Sequence, residues 1–375
     1  MRRGAPAVTA ALLLLASAPA LAAHSPAVVG YLPEWRYGAA CFPHLCKHLT
    51  HLVFFSIEPL PDGSLTGLER LPGGEALAAA HASRDAFGTK LLLCIGGNGR
   101  SSGFSAAARG EQSRARLVAE LLSLVTRLDL DGVDWNWEYP GFRFGAGYSH
   151  DADVTADWDA LAALVRDVKE AASPGRLVST LAYYPDGRQE AYLAERHLCG
   201  PTGVDLCHAM AYDAPGKHHS PLSLAEAAVA NARASGFISS MTLGLPLYGR
   251  HTTTGEWSTW EDLAGRVANR SIAAQVVDAF LPDGDDRGAG VSFNGPASMR
   301  AKVDLALAAG AAGVMLWESG QDCRPEVVTR AGRSHEVTCP AGVPLTQASL
   351  HAAVSAEVEA FRSRRGGAGG DELRR

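Results

Sequence analysis

The stretch Asp131-Gly132-Val133-Asp134-Trp135-Asn136-Trp137-Glu138-Tyr139-Pro140 decides how this chain reads. Side chains on a strand alternate between faces, so Asp134, Asn136 and Glu138 share one side and Val133, Trp135 and Trp137 the other. Three polar residues in single file are costly to bury unless they find hydrogen-bond partners. Such a strand suits a closed sheet, its polar file turned to the lumen and its bulky apolar file to a layer of helices. Glu138 comes last, at the C-terminal end of the strand, where parallel barrels carry their chemistry.

Working outward, seven more apolar or β-branched runs read as strands: Val28 to Tyr31, His51 to Ser56, Lys90 to Ile95, Leu177 to Tyr183, Val204 to Tyr212, Met241 to Leu247 and Ala312 to Trp317. Helical patterns lie between them. Leu117, Leu121, Leu124 and Leu128 recur at three- and four-residue steps over Glu111 to Leu128. A second pattern runs from about Val154 to Ala172, and a third opens at Pro296 and ends at Gly310, proline just inside and glycine just past the end. This alternation predicts an α/β protein, a (β/α)8 TIM barrel, with an open doubly wound sheet as the alternative. The predicted organisation is a signal peptide over 1–22, a barrel over 23–363 closed by a helix at Thr346 to Phe361, and a disordered glycine-rich tail over 364–375.

The leader rests on Met1-Arg2-Arg3, a short apolar core at Leu12 to Leu15 and the small residues Ala20-Leu21-Ala22. It predicts a secreted protein, and no later stretch is long and uncharged enough to span a bilayer. Secretion makes the seven cysteines readable as local disulfides: Cys41 with Cys46, Cys199 with Cys207 and Cys323 with Cys339, leaving Cys94 a buried thiol. The Cys41 to His51 stretch, with His44, Cys46 and His48, has a zinc cluster as its alternative, which a disulfide explains more simply. Asn269-Arg270-Ser271 is a glycosylation sequon. A net charge of −6 argues against nucleic acid and anionic membrane as partners. Gly96-Gly97-Asn98-Gly99-Arg100 lacks the Lys-Ser/Thr ending of a phosphate loop and reads as a tight turn, and His218-His219 reads as solvated. Neither a metal nor a cofactor is expected, and the protein is read as a monomer.

The Asp131–Pro140 segment resembles the active-site strand of the family 18 glycoside hydrolases, the chitinase family, whose pattern is D-x-x-D-x-D-x-E, its last two positions often continuing as W-E-Y-P. Further segments are similar in the same order: Gly96-Gly97 with Cys94 in the place of a serine, Met210-Ala211-Tyr212-Asp213, Leu245-Pro246-Leu247-Tyr248-Gly249-Arg250, and Trp317. The resemblance spans about Val28 to Trp317 and implies a reaction that borrows its nucleophile from the substrate. Glu138 would protonate the leaving oxygen while the sugar's own 2-acetamido group attacks the anomeric carbon. Asp134 and Asn136 complete the catalytic file. Tyr212 would donate to the acetamido oxygen, Trp317 would floor that sugar, and Asp213 and Met210 would line its site. Tyr31, Trp35 and Tyr183 are assigned to the cleft by position. The implied substrate is β-1,4-linked N-acetylglucosamine, as chitin or chitooligosaccharide. The alternatives are a chitinase-like lectin or an endo-β-N-acetylglucosaminidase acting on N-glycans. Two departures stand out. The family's third aspartate is Asn136, which keeps a hydrogen-bond acceptor and loses a charge. The segment Arg250 to Gly295 is short for the α+β insertion of deep-cleft members, so a barrel without a large insertion and with an open cleft is expected.

Overall fold

The computed structural model describes residues 25–172, 177–267, 276–283 and 286–371. The expected leader and the sequon Asn269-Arg270-Ser271 lie outside the described residues. Eight parallel strands close on themselves: β1 (Ala27–Pro33), β2 (His51–Pro59), β3 (Lys90–Gly96), β4 (Gly132–Asn136), β5 (Val178–Tyr183), β6 (Leu206–Ala209), β7 (Met241–Pro246) and β8 (Gly313–Trp317). Closure comes from β1 pairing with both β2 and β8. The fold is the (β/α)8 barrel that the alternation predicts.

The two faces of β4 separate as their chemistry requires. Val133, Trp135 and Trp137 pack into the helix layer, with Trp137 stacked on Phe104 at 5.0 Å. The lumen holds a second apolar cluster that includes Tyr31, Phe55, Cys94, Met210, Tyr212 and Met315. Register explains how Asp134 can be buried there. Cys94 of β3 and Thr180 of β5 stand opposite it on the two neighbouring strands. Thr180 Oγ1 donates to Asp134 at 2.6 Å and Tyr31 Oη at 2.8 Å, and the Cys94 thiol donates as well.

Outside the barrel, the helix Glu111–Arg127 buries Leu117, Leu121 and Leu124 against the sheet, and Pro296 opens Pro296–Ala308 at its first turn. No helix among the described residues is long and apolar enough to cross a membrane. The segment after β7 is compact but not a plain loop. Tyr248–His251, Trp257–Thr259, Ala279–Asp283 and Asp286–Phe293 form a four-stranded antiparallel sheet, accompanied by the helix Trp260–Val267. A short insertion still has to satisfy its backbone N–H and C=O groups, and antiparallel pairing does so within few residues.

The closing helix runs Leu350–Asp371, past the Phe361 end expected from the pattern. Arg364, in the expected tail, reaches Asp304 at 2.5 Å and Glu357 at 3.1 Å, which ties that turn to the helix Pro296–Ala308.

Cysteine pairing differs from expectation at one point. Cys199–Cys207 and Cys323–Cys339 are disulfides, whereas Cys41 and Cys46 are free. Cys41 precedes the helix Phe42–His48 and Cys46 lies within it, so the two thiols emerge about 140° apart around the helix axis. Cys46 is buried, and the Cys41 thiol donates to Glu326 at 2.7 Å. His44 of that helix meets Asp322 and His351 instead of the cysteines, the three ligand-type atoms lying within 4.8 Å of one another. Asp322 accepts from the N–H groups of Leu350 and His351 at 3.0 and 2.9 Å and from Ser349 Oγ and His351 Nδ1 at 2.7 Å. With its acceptor capacity so occupied, the carboxylate caps the closing helix.

Candidate active site

A cavity of about 430 Å3 opens at the C-terminal ends of the strands, above the lumen cluster. Glu138 lies two residues beyond the end of β4 and lines the cavity. Its backbone N–H donates to Ser101 Oγ at 3.1 Å, and Ser101 in turn donates to Gly97 O at 2.9 Å. The loop after β3 therefore holds the acid in place. Glycine is required at this loop's start. Gly96 and Gly97 have φ of +97° and +106°, and a Cβ on Gly97 would lie 2.3 Å from Phe55. The turn lets Gly97 N–H reach Asn136 O, and Arg100 fastens it further by an ion pair to Glu34 at 2.6 Å.

Burial raises the Glu138 pKa to about 7. Hydrogen bonds from the Asn136 side chain and from the Asn98 N–H work against that rise, and Asp213 adds to it. A carboxyl group poised near neutrality can hold a proton and release it. Asn136 gives its amide N–H to Glu138, while its Oδ1 is buried with no hydrogen-bond partner among the described residues. Burial also raises Asp213, against Tyr248 and Arg250. Tyr248 Oη donates to it at 2.8 Å and Arg250 Nη1 lies 3.2 Å away. The loop that follows Asp213 is anchored by Lys302, whose buried amine donates to Ser220 O and Oγ at 2.7 Å and to Asn294 Oδ1 at 2.6 Å. His219, read as solvated from its sequence, is buried in this loop.

Glu138, Asn136, Tyr212, Asp213, Met210 and Trp317 all line the cavity. Asp134 lies a layer below, in the lumen. Tyr31 is there too, spent on its bond to Asp134 and packed edge-on to Trp317 at 5.6 Å. Trp35 is 57% exposed and sits one ring back from the cavity wall, 6.4 Å from Phe55. Tyr183 does not reach the cleft: it is buried in the helix layer against Phe237. Thr180 and Ala182 take the lumen face of β5, so alternation sends Tyr183 outward, and the next residue, Tyr184, lines the cavity.

Residues not singled out from the sequence supply most of the aromatic wall. Phe142–Arg143 pairs with Gly147–Tyr148 in a small hairpin just beyond Pro140. Tyr139, Phe142, Phe144 and Tyr148 bring four rings there, their density in one short segment being the signal that was available. Across the cavity Trp257 stacks on Tyr248 at 4.2 Å and 9° between planes, and remains 48% exposed. Polar ends are added by Asp186 and Gln189, each hydrogen-bonded to Tyr148 Oη, at 3.1 and 3.2 Å.

Parallel barrels carry their functional groups at the C-terminal lip, and here a buried carboxyl stands in an aromatic hollow at that lip. The chain belongs to the glycosyl hydrolases family 18, which it matches over residues 27–322. It is 34% identical over 116 residues to a "chitinase-like effector" of Moniliophthora roreri, covering 29% of this chain and 27% of that protein. It is 27% identical over 221 residues to "Probable chitinase 2" of Drosophila melanogaster, covering 52% and 41%. The matches thus span less than half the length of these curated relatives. The crystal structure of an Ostrinia furnacalis Group IV chitinase in complex with allosamidin superposes with a TM-score of 0.62 at 20% identity, over 79% of this chain and 93% of that one. That likeness speaks to the fold.

Proposed function

We propose that the protein is a secreted hydrolase of β-1,4-linked N-acetylglucosamine chains that acts with retention and borrows its nucleophile from the substrate. The observation that carries the reading is the state of Glu138. It lines the cavity, burial lifts its pKa to about 7, and it therefore keeps a proton to give. The other carboxylates nearby are engaged: Asp213 with Tyr248 and Arg250, Asp186 with Tyr148, and Asp134 with Tyr31 and Thr180. With no uncommitted carboxylate beside the acid among the described residues, the attacking oxygen in this reading is that of a 2-acetamido group on the sugar being cleaved. The reaction runs in two steps. Glu138 protonates the leaving oxygen as the acetamido oxygen closes on the anomeric carbon, and water then opens the oxazolinium ion and returns the proton to Glu138.

In this reading Trp317 floors the reacting sugar and Tyr212 donates to its acetamido oxygen. Asn136 Oδ1, without a partner among the described residues, accepts the acetamido N–H. A buried acceptor left empty costs about 1–3 kcal/mol, which a ligand donor would recover. The two disulfides support an oxidising, extracellular setting. The test is a pair of substrates. A chitotetraose should be cut, and its fully de-N-acetylated counterpart should be cut about 10³-fold more slowly or not at all. Equal cleavage of the two would refute the borrowed nucleophile.

Asn136 also favours a second reading, a lectin that binds these chains without cutting them, because a neutral amide cannot offset charge on the oxazolinium. Binding of chitotetraose with no detectable product would decide for it.

A further inference from the structure

A second hollow, of about 400 Å3, opens beside the first. Glu138, Tyr139, Phe142 and Phe144 wall both, so the two lie on either side of the 142–148 hairpin and share the acid. Their chemistry differs. Rings dominate the first, whereas the second sets Ser101, Ser102, Ser105, Arg109, Asp153 and Asp157 opposite the hairpin rings and Trp137. Its two arginines, Arg109 and Arg143, are matched in number by Asp153 and Asp157, and Arg109 is held in ion pairs. Arg109 meets Asp157 at 2.7 Å and Asp153 at 3.5 Å, and Ser105 Oγ donates to Asp157 at 2.7 Å. The other Asp157 oxygen accepts the Gly141 N–H at the base of the hairpin at 2.9 Å, so the floor of this hollow also anchors the wall between the two.

The aromatic hollow, lined by Trp317, Tyr184 and Phe144 among others, offers ring faces on which a straight chain of sugars can stack. A path for water needs far less room, since each water takes about 30 Å3. Serine hydroxyls and paired Arg–Asp groups are suited to an uncharged, hydroxyl-rich occupant, because they offer donors and acceptors together with little net charge.

We propose that Glu138 stands at a fork: the main glycan chain occupies the aromatic arm, and a neutral sugar branch carried by a unit next to the scissile bond occupies the polar arm. This rests on the reading of the site as one for N-acetylglucosamine chains, and narrows that reading to chains bearing branches.

The probes are a linear chitotetraose and the same tetramer carrying one additional hexose on the primary hydroxyl of an internal sugar. Ser102 is exposed in the polar arm and takes no part in holding Glu138, so Ser102→Trp fills that arm; Ser149→Trp fills it from the hairpin side. Affinities are read by tryptophan fluorescence or calorimetry in a Glu138→Gln background, where neither probe is consumed. Each filling variant should weaken the branched probe about tenfold and the linear one by less than about twofold. An equal loss on both probes, or no loss with either variant, overturns the fork. Turnover of the linear tetramer by the unaltered protein is scored separately. Its absence would sink the hydrolase reading while leaving the binding comparison decisive for the fork.

Discussion

Asp134 and Glu138 stand four residues apart on one face of one strand, and the barrel treats them differently. Asp134, at 0% exposure, is surrounded by donors from three strands: Tyr31 Oη at 2.8 Å, Thr180 Oγ1 at 2.6 Å and the Cys94 thiol. Glu138, one layer higher, has the Asn136 amide and the Asn98 N–H as its donors among the described residues, and its pKa rises to about 7. Burial pushes both carboxyls up. The difference is in what the walls give back. In a closed sheet, a carboxyl at depth is met by neighbours in register, while one at the lip has outrun its neighbouring strands and stays short of donors. That shortage leaves the upper group with a raised pKa, which suits the role of proton carrier proposed for it.

The comparison can be broken most directly by removing each carboxyl in turn. Glu138→Gln should lower kcat on a fluorogenic chitobioside by about 10³-fold with an unchanged melting temperature. Asp134→Ala should instead lower the unfolding free energy by about 2–4 kcal/mol in urea titrations, since it strands the buried Tyr31 and Thr180 hydroxyls. A variant at Asp134 as stable as the parent would remove the structural half of the contrast.

A smaller effect sharpens the upper site. An acid with a pKa of about 7 is active while protonated, so kcat/KM should hold below that pH and fall as pH rises through it. Asn136→Asp places a second carboxylate beside Glu138, which raises its pKa further and moves this alkaline limb upward. It should also raise kcat by about tenfold, the difference between a charged and a neutral hydrogen bond to the intermediate. A limb that stays in place in the pH–rate profile would mean that Glu138 is not the titrating acid.

The smallest expected change is at Ser101, which accepts the Glu138 backbone N–H at 3.1 Å. Ser101→Ala should lower kcat by about threefold to tenfold with KM unchanged, and Ser101→Thr should restore it. Equal changes in kcat and KM would argue for a general loosening of the loop over positioning of the acid.

Much of this was legible in advance, and where reading failed the reason is specific. The alternation along Val133 to Glu138 gave the orientation of the polar file because strand geometry is local. The same rule, applied along β5, separates Tyr183 from Tyr184; assignment by position alone does not. Cys41 and Cys46 looked like partners because they are close in sequence, yet a helix turns them apart. Trp257 carried no signal at all. It becomes part of the cavity only after the insertion folds and stacks it on Tyr248.

By itself the sequence determined the alternation of strands and helices, the face shared by Asp134, Asn136 and Glu138 and the identity of the residue at its end, since these follow from local periodicity and the order of segments. Only the tertiary structure decided how strongly that residue holds its proton, which rings face it and that a polar hollow adjoins it. Those properties depend on burial and on distances between segments far apart in the chain, and both arise when the whole barrel closes.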